Sequence, residues 1–435
     1  MNNPESIKLV DAIKQANLGD KIMDGSAMCA AKWIHFYIHL KEGIVKSCHN
    51  VPQRFISQED LDTYGKNVFM NHPYEIERRK EKLKNIKHSD CSACWRNEER
   101  GIRSPRLPKK YYDFHRERFN NPEDELQPLP SQLEVYFNNT CDLKCQYCND
   151  VFSSQWEIEN KKYEEAPRKK HIAPNGLEKI FYQWLEEDAV ESILQYYILG
   201  GEPLIQNEVY DYIDKLISLF KKKSNKFNIR PVVIVISNGN TPEAYLKKWF
   251  EKAKQIEPYA SLQMDISMES YGKKAEFIRT NLNWERFSNN VNSIMEFAKG
   301  RDFRLRFSTT HSALSITSCL DFLKWLKALK DKNEIEVDLI RSNVSYPVHL
   351  SPWMLTEQYG RYVDEIVQWI DSNAPEWKDY GQFMLSIKNS FGKHSNSDRV
   401  AVIDWVERTK IRRNMDLLEY FPELEPWYKY CRNHD

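Results

Sequence analysis

The sequence predicts an α/β protein whose central part is an incomplete (β/α)6 barrel. Between residues 131 and 350, short apolar runs alternate with helical patterns, which is typical of β-α units and a parallel sheet. Six such units, joined by right-handed crossovers, suit a barrel that does not close. The chain has 435 residues, so there is room for two or three domains around this core.

The predicted strands are short and rich in β-branched residues. They lie at residues 133–138, 196–199, 232–236, 262–267, 303–309 and 335–340. Segments between them carry apolar residues at helical spacing, such as Val209, Ile213 and Leu216, which predicts helices packed on the sheet by one face. Beyond residue 350 the same pattern continues without strands and predicts a helical C-terminal extension.

Composition excludes several classes of protein. Lys and Arg number 63, as do Asp and Glu, so no net charge attracts the chain to nucleic acid. No apolar run is long enough to span a membrane, and 13% aromatic residues exclude a disordered chain. The first twenty residues lack the features of a secretory signal, so we expect a soluble, cytoplasmic protein without membrane partners.

Nine cysteines are present, and an odd number without a secretion signal argues against disulfides. Cys141, Cys145 and Cys148 are spaced CxxxCxxC, which should arise by chance only about 0.004 times in such a chain. Three thiolates leave one iron of a four-iron cluster without a protein ligand, free to bind a cofactor. The alternative, structural zinc, normally takes four protein ligands.

This triplet, with Tyr147 before its last cysteine, resembles the signature of radical S-adenosylmethionine enzymes. Further residues at the ends of the predicted strands resemble cofactor-binding positions of that family: Gly200, Gly201, Glu202 and Pro203, then Ser237 and Asn238, then Ser267, and Arg279 twelve residues later. Taken alone, each of these would be an ordinary turn or a solvated arginine. The resemblance implies that Cys141, Cys145 and Cys148 hold a 4Fe-4S cluster and that the other residues contact S-adenosylmethionine.

A second cysteine group precedes the predicted barrel. Cys29 and Cys48 flank a predicted hairpin, and Cys91 and Cys94 form a close pair, so four thiols are available for one metal site. By spacing alone, zinc and an iron-sulfur cluster are equally acceptable. The group is similar to a twitch domain, which implies an auxiliary 4Fe-4S cluster, although in most relatives that domain follows the barrel.

The resemblance implies four segments: a twitch-like auxiliary cluster domain at 1–110, a linker at 111–130, the radical S-adenosylmethionine partial barrel at 131–350 and a helical extension at 351–435. It also implies reductive cleavage of S-adenosylmethionine to a 5′-deoxyadenosyl radical, which abstracts hydrogen from an unidentified substrate such as a peptide. An electron donor such as flavodoxin or ferredoxin would supply the electron for this cleavage. The auxiliary cluster would accept an electron from the substrate in an oxidation or cross-link.

Two alternatives remain open. Within the enzyme class, the radical chemistry could be redox-neutral, as in epimerisation, with the auxiliary cluster as an anchor. In a different class, the cysteines could bind structural zinc that stabilises the fold of a protein-interaction or RNA-binding protein. No general base can be assigned from the sequence. One fold hosts many reactions, so neither fold nor cofactor identifies the substrate.

Overall fold

The computed structural model describes residues 27, 29–99, 106, 126–163, 165 and 170–433. Within this part of the chain, nine strands form one sheet in the order β3-β2-β1-β4-β5-β6-β7-β8-β9. The strands are β1 His35–His39, β2 Ile44–Lys46, β3 Arg54–Phe55, β4 Gln132–Tyr136, β5 Gln195–Leu199, β6 Val232–Ser237, β7 Ser261–Ser267, β8 Phe303–His311 and β9 Val337–Asn343. The sheet is parallel from β1 through β4 to β9.

The six strands β4 to β9 confirm the six predicted from the sequence. Their bounds differ from the prediction by at most three residues, most clearly at β9. This strand begins at Val337, two residues later than expected, because the preceding helix continues to Asn333. Glu334 then ends that helix in a left-handed conformation (φ 53°), and the chain needs two further residues to enter the sheet.

The predicted N-terminal hairpin is present, and it belongs to the same sheet. β2 pairs with β1 in antiparallel fashion, and β1 pairs in parallel with β4, with His35 opposite Gln132 and His39 opposite Tyr136. The short strand β3 was not predicted and extends this edge. A separate twitch-like domain at 1–110 therefore stays a prediction, and most of the predicted linker at 111–130 lies outside the described residues.

Helices connect the strands and cover the sheet. They are α1 Ala31–Ile34, α2 Gln58–Tyr64, α3 Pro73–Leu83, α4 Ser92–Glu99, α5 Ser154–Lys162, α6 Leu177–Trp184, α7 Asn207–Lys222, α8 Glu243–Ile256, α9 Gly272–Ile278, α10 Trp284–Ala298, α11 Cys319–Asn333, α12 Gly360–Asn373, α13 Lys378–Lys388, α14 Asn396–Arg413, α15 Leu417–Tyr420 and α16 Glu425–Arg432. None of the described helices is both long and apolar enough to cross a membrane. Helices α12 to α16 form the predicted C-terminal extension.

Several strands, such as β4, have an apolar face and a more polar face. Leu133 and Val135 of β4 are fully buried in one core with Phe181 of α6. Their neighbours on the other face are polar and pair across strands, as in the ion pair of Asp265 with Arg306 (2.7 Å, Nε to Oδ1). Because part of this second face is buried yet carries hydrogen-bonding groups, such as Asp265, it can position polar or charged ligands.

Candidate active site and second cysteine cluster

The predicted cofactor residues lie at one edge of the sheet. The cysteine triplet follows β4, the glycine-rich turn follows β5, Ser237 and Asn238 end β6, and Ser267 ends β7. These four strands are adjacent and parallel, so their carboxyl ends meet. In open parallel sheets this edge is where ligands bind.

The cysteine triplet lies on a loop that is held by its own following helix, α5. Trp156 Nε1 donates a hydrogen bond to the carbonyl of Cys145 (2.9 Å), and the Ser154 hydroxyl accepts one from the backbone N–H of Cys141 (3.2 Å). Cys141 is buried, while Cys145 and Cys148 are half-buried. Burial and then the neighbouring Cys145 raise the pKa of Cys148 to about 12, so these clustered thiols need a cation to become thiolates.

The C-terminal helix α14 packs on this same loop. Trp405 Nε1 donates to Gln146 Oε1 (3.2 Å), and Arg413 Nη1 donates to the carbonyl of Lys144 (3.0 Å). Arg413 also forms a buried ion pair with Glu159 of α5 (3.0 Å, Nη2 to Oε1). The C-terminal extension therefore fixes the cysteine loop from outside, a role that the sequence pattern did not reveal.

The glycine-rich turn lies directly against the loop that leads to the cysteines. Backbone N–H groups of Gly201 and Glu202 donate to the carbonyls of Asn138 (3.3 Å) and Thr140 (2.8 Å). A Cβ at Gly201 would lie 2.4 Å from the oxygen of Thr140 and 2.7 Å from Cys141 Cβ. This close approach explains why the position needs glycine.

Glu202 connects the glycine-rich turn to the end of β6. Its carboxylate accepts hydrogen bonds from the Ser237 hydroxyl (2.8 Å) and from the Asn238 backbone N–H (2.6 Å). Glu202 is fully buried, and burial together with nearby Asp142 raises its pKa to about 7. Pro203, also buried, begins the single helical turn that follows. These contacts assemble two of the predicted motifs into one unit.

Asn238 reaches the cysteine loop itself. Its side-chain Nδ2 donates to Asp142 Oδ1 (2.7 Å) and lies 3.9 Å from Cys141 Sγ. Asn240 Nδ2 donates to the other oxygen of Asp142 (2.7 Å). Asp142 was not singled out from the sequence, although its position directly after the first cysteine could have suggested it.

Arg279 is buried against the same cysteines and is not a solvated surface residue. Its Nη1 lies 3.9 Å from Cys145 Sγ, and its Nη2 pairs with Glu269 Oε2 at 2.5 Å. Burial would lower the pKa of Arg279, but the carboxylate of Glu269 raises it above the ordinary value. The Tyr147 hydroxyl donates to the other oxygen of Glu269 (3.1 Å).

Glu269 thus joins Tyr147 and Arg279, and the sequence analysis did not assign it a role. Its place two residues after Ser267, in the segment that ends β7, was the available signal. Ser267 itself is half-buried at the same edge, and none of the hydrogen bonds described above involves it. Apart from Ser267, the predicted cofactor residues form one connected network.

The four N-terminal cysteines line a single small cavity. Lys32 and Arg106 line it as well, and Lys82 Nζ donates to Cys91 Sγ (3.2 Å). Burial, followed by the proximity of Cys48, raises the pKa of Cys29 to about 12. Four thiols beside basic side chains match the ligand set and the negative charge of a metal-thiolate centre.

The two cysteine groups lie at opposite edges of the sheet. Cys29 precedes β1 and Cys48 follows β2, so both lie beside the amino end of β1. Because β1 is parallel to β4, this is also the amino edge of the parallel sheet, whereas the triplet follows the carboxyl end of β4. The paired strands β1 and β4 lie between the two groups, and each of these five-residue strands is about 13 Å long from first to last Cα.

The two remaining cysteines belong to the core. Cys319 and Cys431 are fully buried among apolar residues. Cys319 begins helix α11 and faces the core. Cys431 lies inside α16, where Trp427 and Tyr428 are also buried.

No protein-family model matches the sequence, and no curated protein matches it. Among solved structures, Streptococcus suis SuiB bound to S-adenosylmethionine is 13% identical with a TM-score of 0.38, over 78% of this chain and 69% of that chain. SuiB bound to the precursor peptide SuiA is 14% identical with a TM-score of 0.35, over 91% and 75%. Native anSMEcpe with bound AdoMet is 13% identical with a TM-score of 0.35, over 54% and 60%.

Proposed function

We propose that this protein is a radical S-adenosylmethionine enzyme whose cofactor site is the network around Cys141, Cys145 and Cys148. The observation that carries the proposal is the convergence of three thiols, a backbone-lined glycine turn and buried Arg279 at one edge of a parallel sheet. We further propose that strands β4 to β9 with their helices form the incomplete (β/α)6 barrel.

The chain's own residues have separable tasks in this proposal. The three cysteines supply thiolates to a 4Fe-4S cluster and leave one iron open for the amino and carboxylate groups of S-adenosylmethionine. When both are bound, the cluster and S-adenosylmethionine would supply one-electron cleavage chemistry at the sulfonium, which yields a 5′-deoxyadenosyl radical that abstracts hydrogen. Arg279 offsets the negative charge beside Cys145, and its pair with Glu269 holds the guanidinium in place.

The glycine turn and the end of β6 form the wall of the cofactor site. The Gly200–Pro203 backbone can approach a ligand closely because Gly200 and Gly201 lack side chains. Glu202 holds the backbone of Asn238 and the hydroxyl of Ser237 in fixed positions. We assign these residues to the methionine and ribose parts of the cofactor, together with Ser267.

We assign the four N-terminal cysteines to an auxiliary 4Fe-4S cluster that accepts an electron from the substrate radical. Its position at the opposite edge of the sheet favours electron transfer over direct contact with substrate. Aromatic side chains lie between the two edges on the polar face: His39 stacks on Tyr136 with ring centroids 4.4 Å apart, and Tyr37 is two residues further toward the amino edge. These rings offer a path for the electron.

The substrate class we propose is a peptide, as in the SuiB structure with its precursor peptide. In the described part of the chain, the outermost strands of the sheet are β3 and β9, and they do not pair with each other, so the sheet does not close on itself. An open side supports access for a substrate larger than a metabolite. The net reaction in this proposal is an oxidation or cross-link.

The test is a comparison of two cysteine variants in anaerobically reconstituted protein. The wild type should hold about eight irons, four for each cluster. Cys145→Ala should abolish cleavage of S-adenosylmethionine, while Cys94→Ala should still release 5′-deoxyadenosine but form no product. Cleavage does not require the substrate to be known, so this part of the comparison can be made first, whereas the product measurement requires the peptide.

Three outcomes would contradict the proposal. Stoichiometric zinc without iron-sulfur absorption would favour the interaction protein. Equal loss of cleavage in both variants, with Cys94→Ala still folded by circular dichroism, would remove the distinction between the clusters. Retained product in Cys94→Ala would favour redox-neutral chemistry such as epimerisation. Folding must be checked because four thiolates also stabilise their surrounding segment.

A further inference from the structure

A third candidate site lies at the amino edge of the sheet and contains no cysteine. It consists of His35 at the start of β1, Glu134 in β4 and His49 after β2, whose ligand atoms all lie within 4.8 Å of one another. Both imidazoles place Nε2 beside the same carboxylate oxygen, Glu134 Oε1, at 3.0 Å for His35 and 3.1 Å for His49. The three residues are brought together by the parallel pairing of β1 with β4.

Hydrogen bonding alone leaves this cluster incomplete. His35 is 6% exposed; its Nε2 faces Glu134 Oε1 at 3.0 Å, but its Nδ1 has no hydrogen-bond partner among the described residues. Glu134 is also 6% exposed, and within the same part of the chain its second oxygen, Oε2, has no partner. Buried polar atoms without partners are rare and costly, at roughly 1–3 kcal/mol each, so they indicate a missing group.

The spacing of the three ligand atoms suits a small cation. Ligands of a tetrahedral zinc ion, with bonds of about 2.0 Å, are roughly 3.3 Å apart. The two N···O separations in the cluster are already within about 0.3 Å of that value. A cation at the centre would bind both Nε2 atoms and Glu134 Oε1, with the unpaired Oε2 available as a second carboxylate ligand atom, and the exposed ring of His49 gives it access from solvent.

We propose that His35, His49 and Glu134 bind one divalent transition-metal ion, with Zn²⁺ as the best match to two imidazoles and one carboxylate. Three protein ligands leave at least one position for water. The ion would join the segment after β2 to β1 and β4, next to the cavity that contains Cys48. This site goes beyond the proposed function, since it involves neither S-adenosylmethionine nor the cysteines.

One neighbouring charge opposes the binding of a cation. Lys46 carries a positive charge that interacts with Glu134: burial lowers the pKa of this lysine, whereas Cys48 and Glu134 raise it. Lys46 also lies over the ring of Tyr37, 5.7 Å from the centroid. Lys46→Met should therefore strengthen binding of a cation.

The experiment is a calorimetric titration of the full-length protein, with its clusters loaded anaerobically, with Zn²⁺. We expect one bound ion, and X-ray absorption should find nitrogen and oxygen ligands at about 2.0–2.2 Å without sulfur at about 2.3 Å. His49→Ala should weaken binding about 100-fold or more, because removing a ligand costs at least as much as removing an outer-shell partner. Glu134→Gln should have the same effect.

The control is His72→Ala. His72 also lies beside a carboxylate, Asp60, at 3.4 Å, but the described residues offer this pair no third ligand, so removal of His72 should leave Zn²⁺ affinity unchanged. His49 is largely exposed, so its variant should fold. Absence of Zn²⁺ binding by the wild type, binding that survives both His49→Ala and Glu134→Gln, or a sulfur-containing ligand shell would each overturn the proposal.

Discussion

Gly201 offers the sharpest test of how the cofactor site is assembled, because adding a single methyl group there has a calculable effect. In Gly201→Ala the new Cβ would lie 2.4 Å from the oxygen of Thr140 and 2.7 Å from both the oxygen of Asn139 and Cys141 Cβ. Ordinary contacts of this kind exceed about 3.4 Å, so the glycine turn and the cysteine loop must separate by roughly 1 Å. None of these three atoms can move away by a side-chain rotation.

The expected cost is about 3 kcal/mol in the free energy of unfolding. Overpacking typically costs about 1–3 kcal/mol, and contacts with backbone place this case at the upper end. The same separation would weaken the hydrogen bond from Glu202 N–H to the Thr140 carbonyl (2.8 Å), worth about 1 kcal/mol. Because the turn forms the wall of the proposed site, binding of S-adenosylmethionine should also weaken.

Urea denaturation followed by circular dichroism measures the first effect, and equilibrium dialysis with S-adenosylmethionine measures the second. The matched control is Gly381→Ala in α13, where a Cβ would meet its nearest neighbour at 3.8 Å. That variant should be neutral or more stable by about 0.5–1 kcal/mol, since alanine is favoured over glycine in helices. Equal stability of the two variants would refute the argument from close approach.

Two further predictions concern buried carboxylates near the cysteine loop. Arg413→Met should lower the free energy of unfolding by about 3 kcal/mol, because it leaves Glu159 buried with Lys144 as its remaining partner. In urea denaturation, the double variant Arg413→Met with Glu159→Met should recover part of this loss. If the double variant recovers none of it, the ion pair is not the cause. Glu202→Gln should cost about 1–3 kcal/mol in the free energy of unfolding, because one carboxylate oxygen accepts from Ser237 and the other from the Asn238 N–H, and an amide replaces one of these acceptors with a donor. An unchanged urea midpoint would contradict this assignment.

The sequence by itself determined the parts of this protein that depend on local pattern. β-branched runs such as Val232–Ser237 were recognisable as strands because their composition and bounding turns are local properties. The cysteine triplet was recognisable because its spacing is set within a single loop. The same local rules identified the N-terminal hairpin, since its two strands are close along the chain.

Only the tertiary structure decided what depends on pairing between distant segments. The parallel pairing of β1 with β4 joins residues almost a hundred positions apart, and no local pattern encodes that register. This pairing puts the four-cysteine cavity at the edge opposite the triplet and brings His35 to Glu134. Likewise, only the tertiary structure shows that Glu269 lies against Arg279. The two residues are buried as an ion pair because either charge alone would be too costly to bury there.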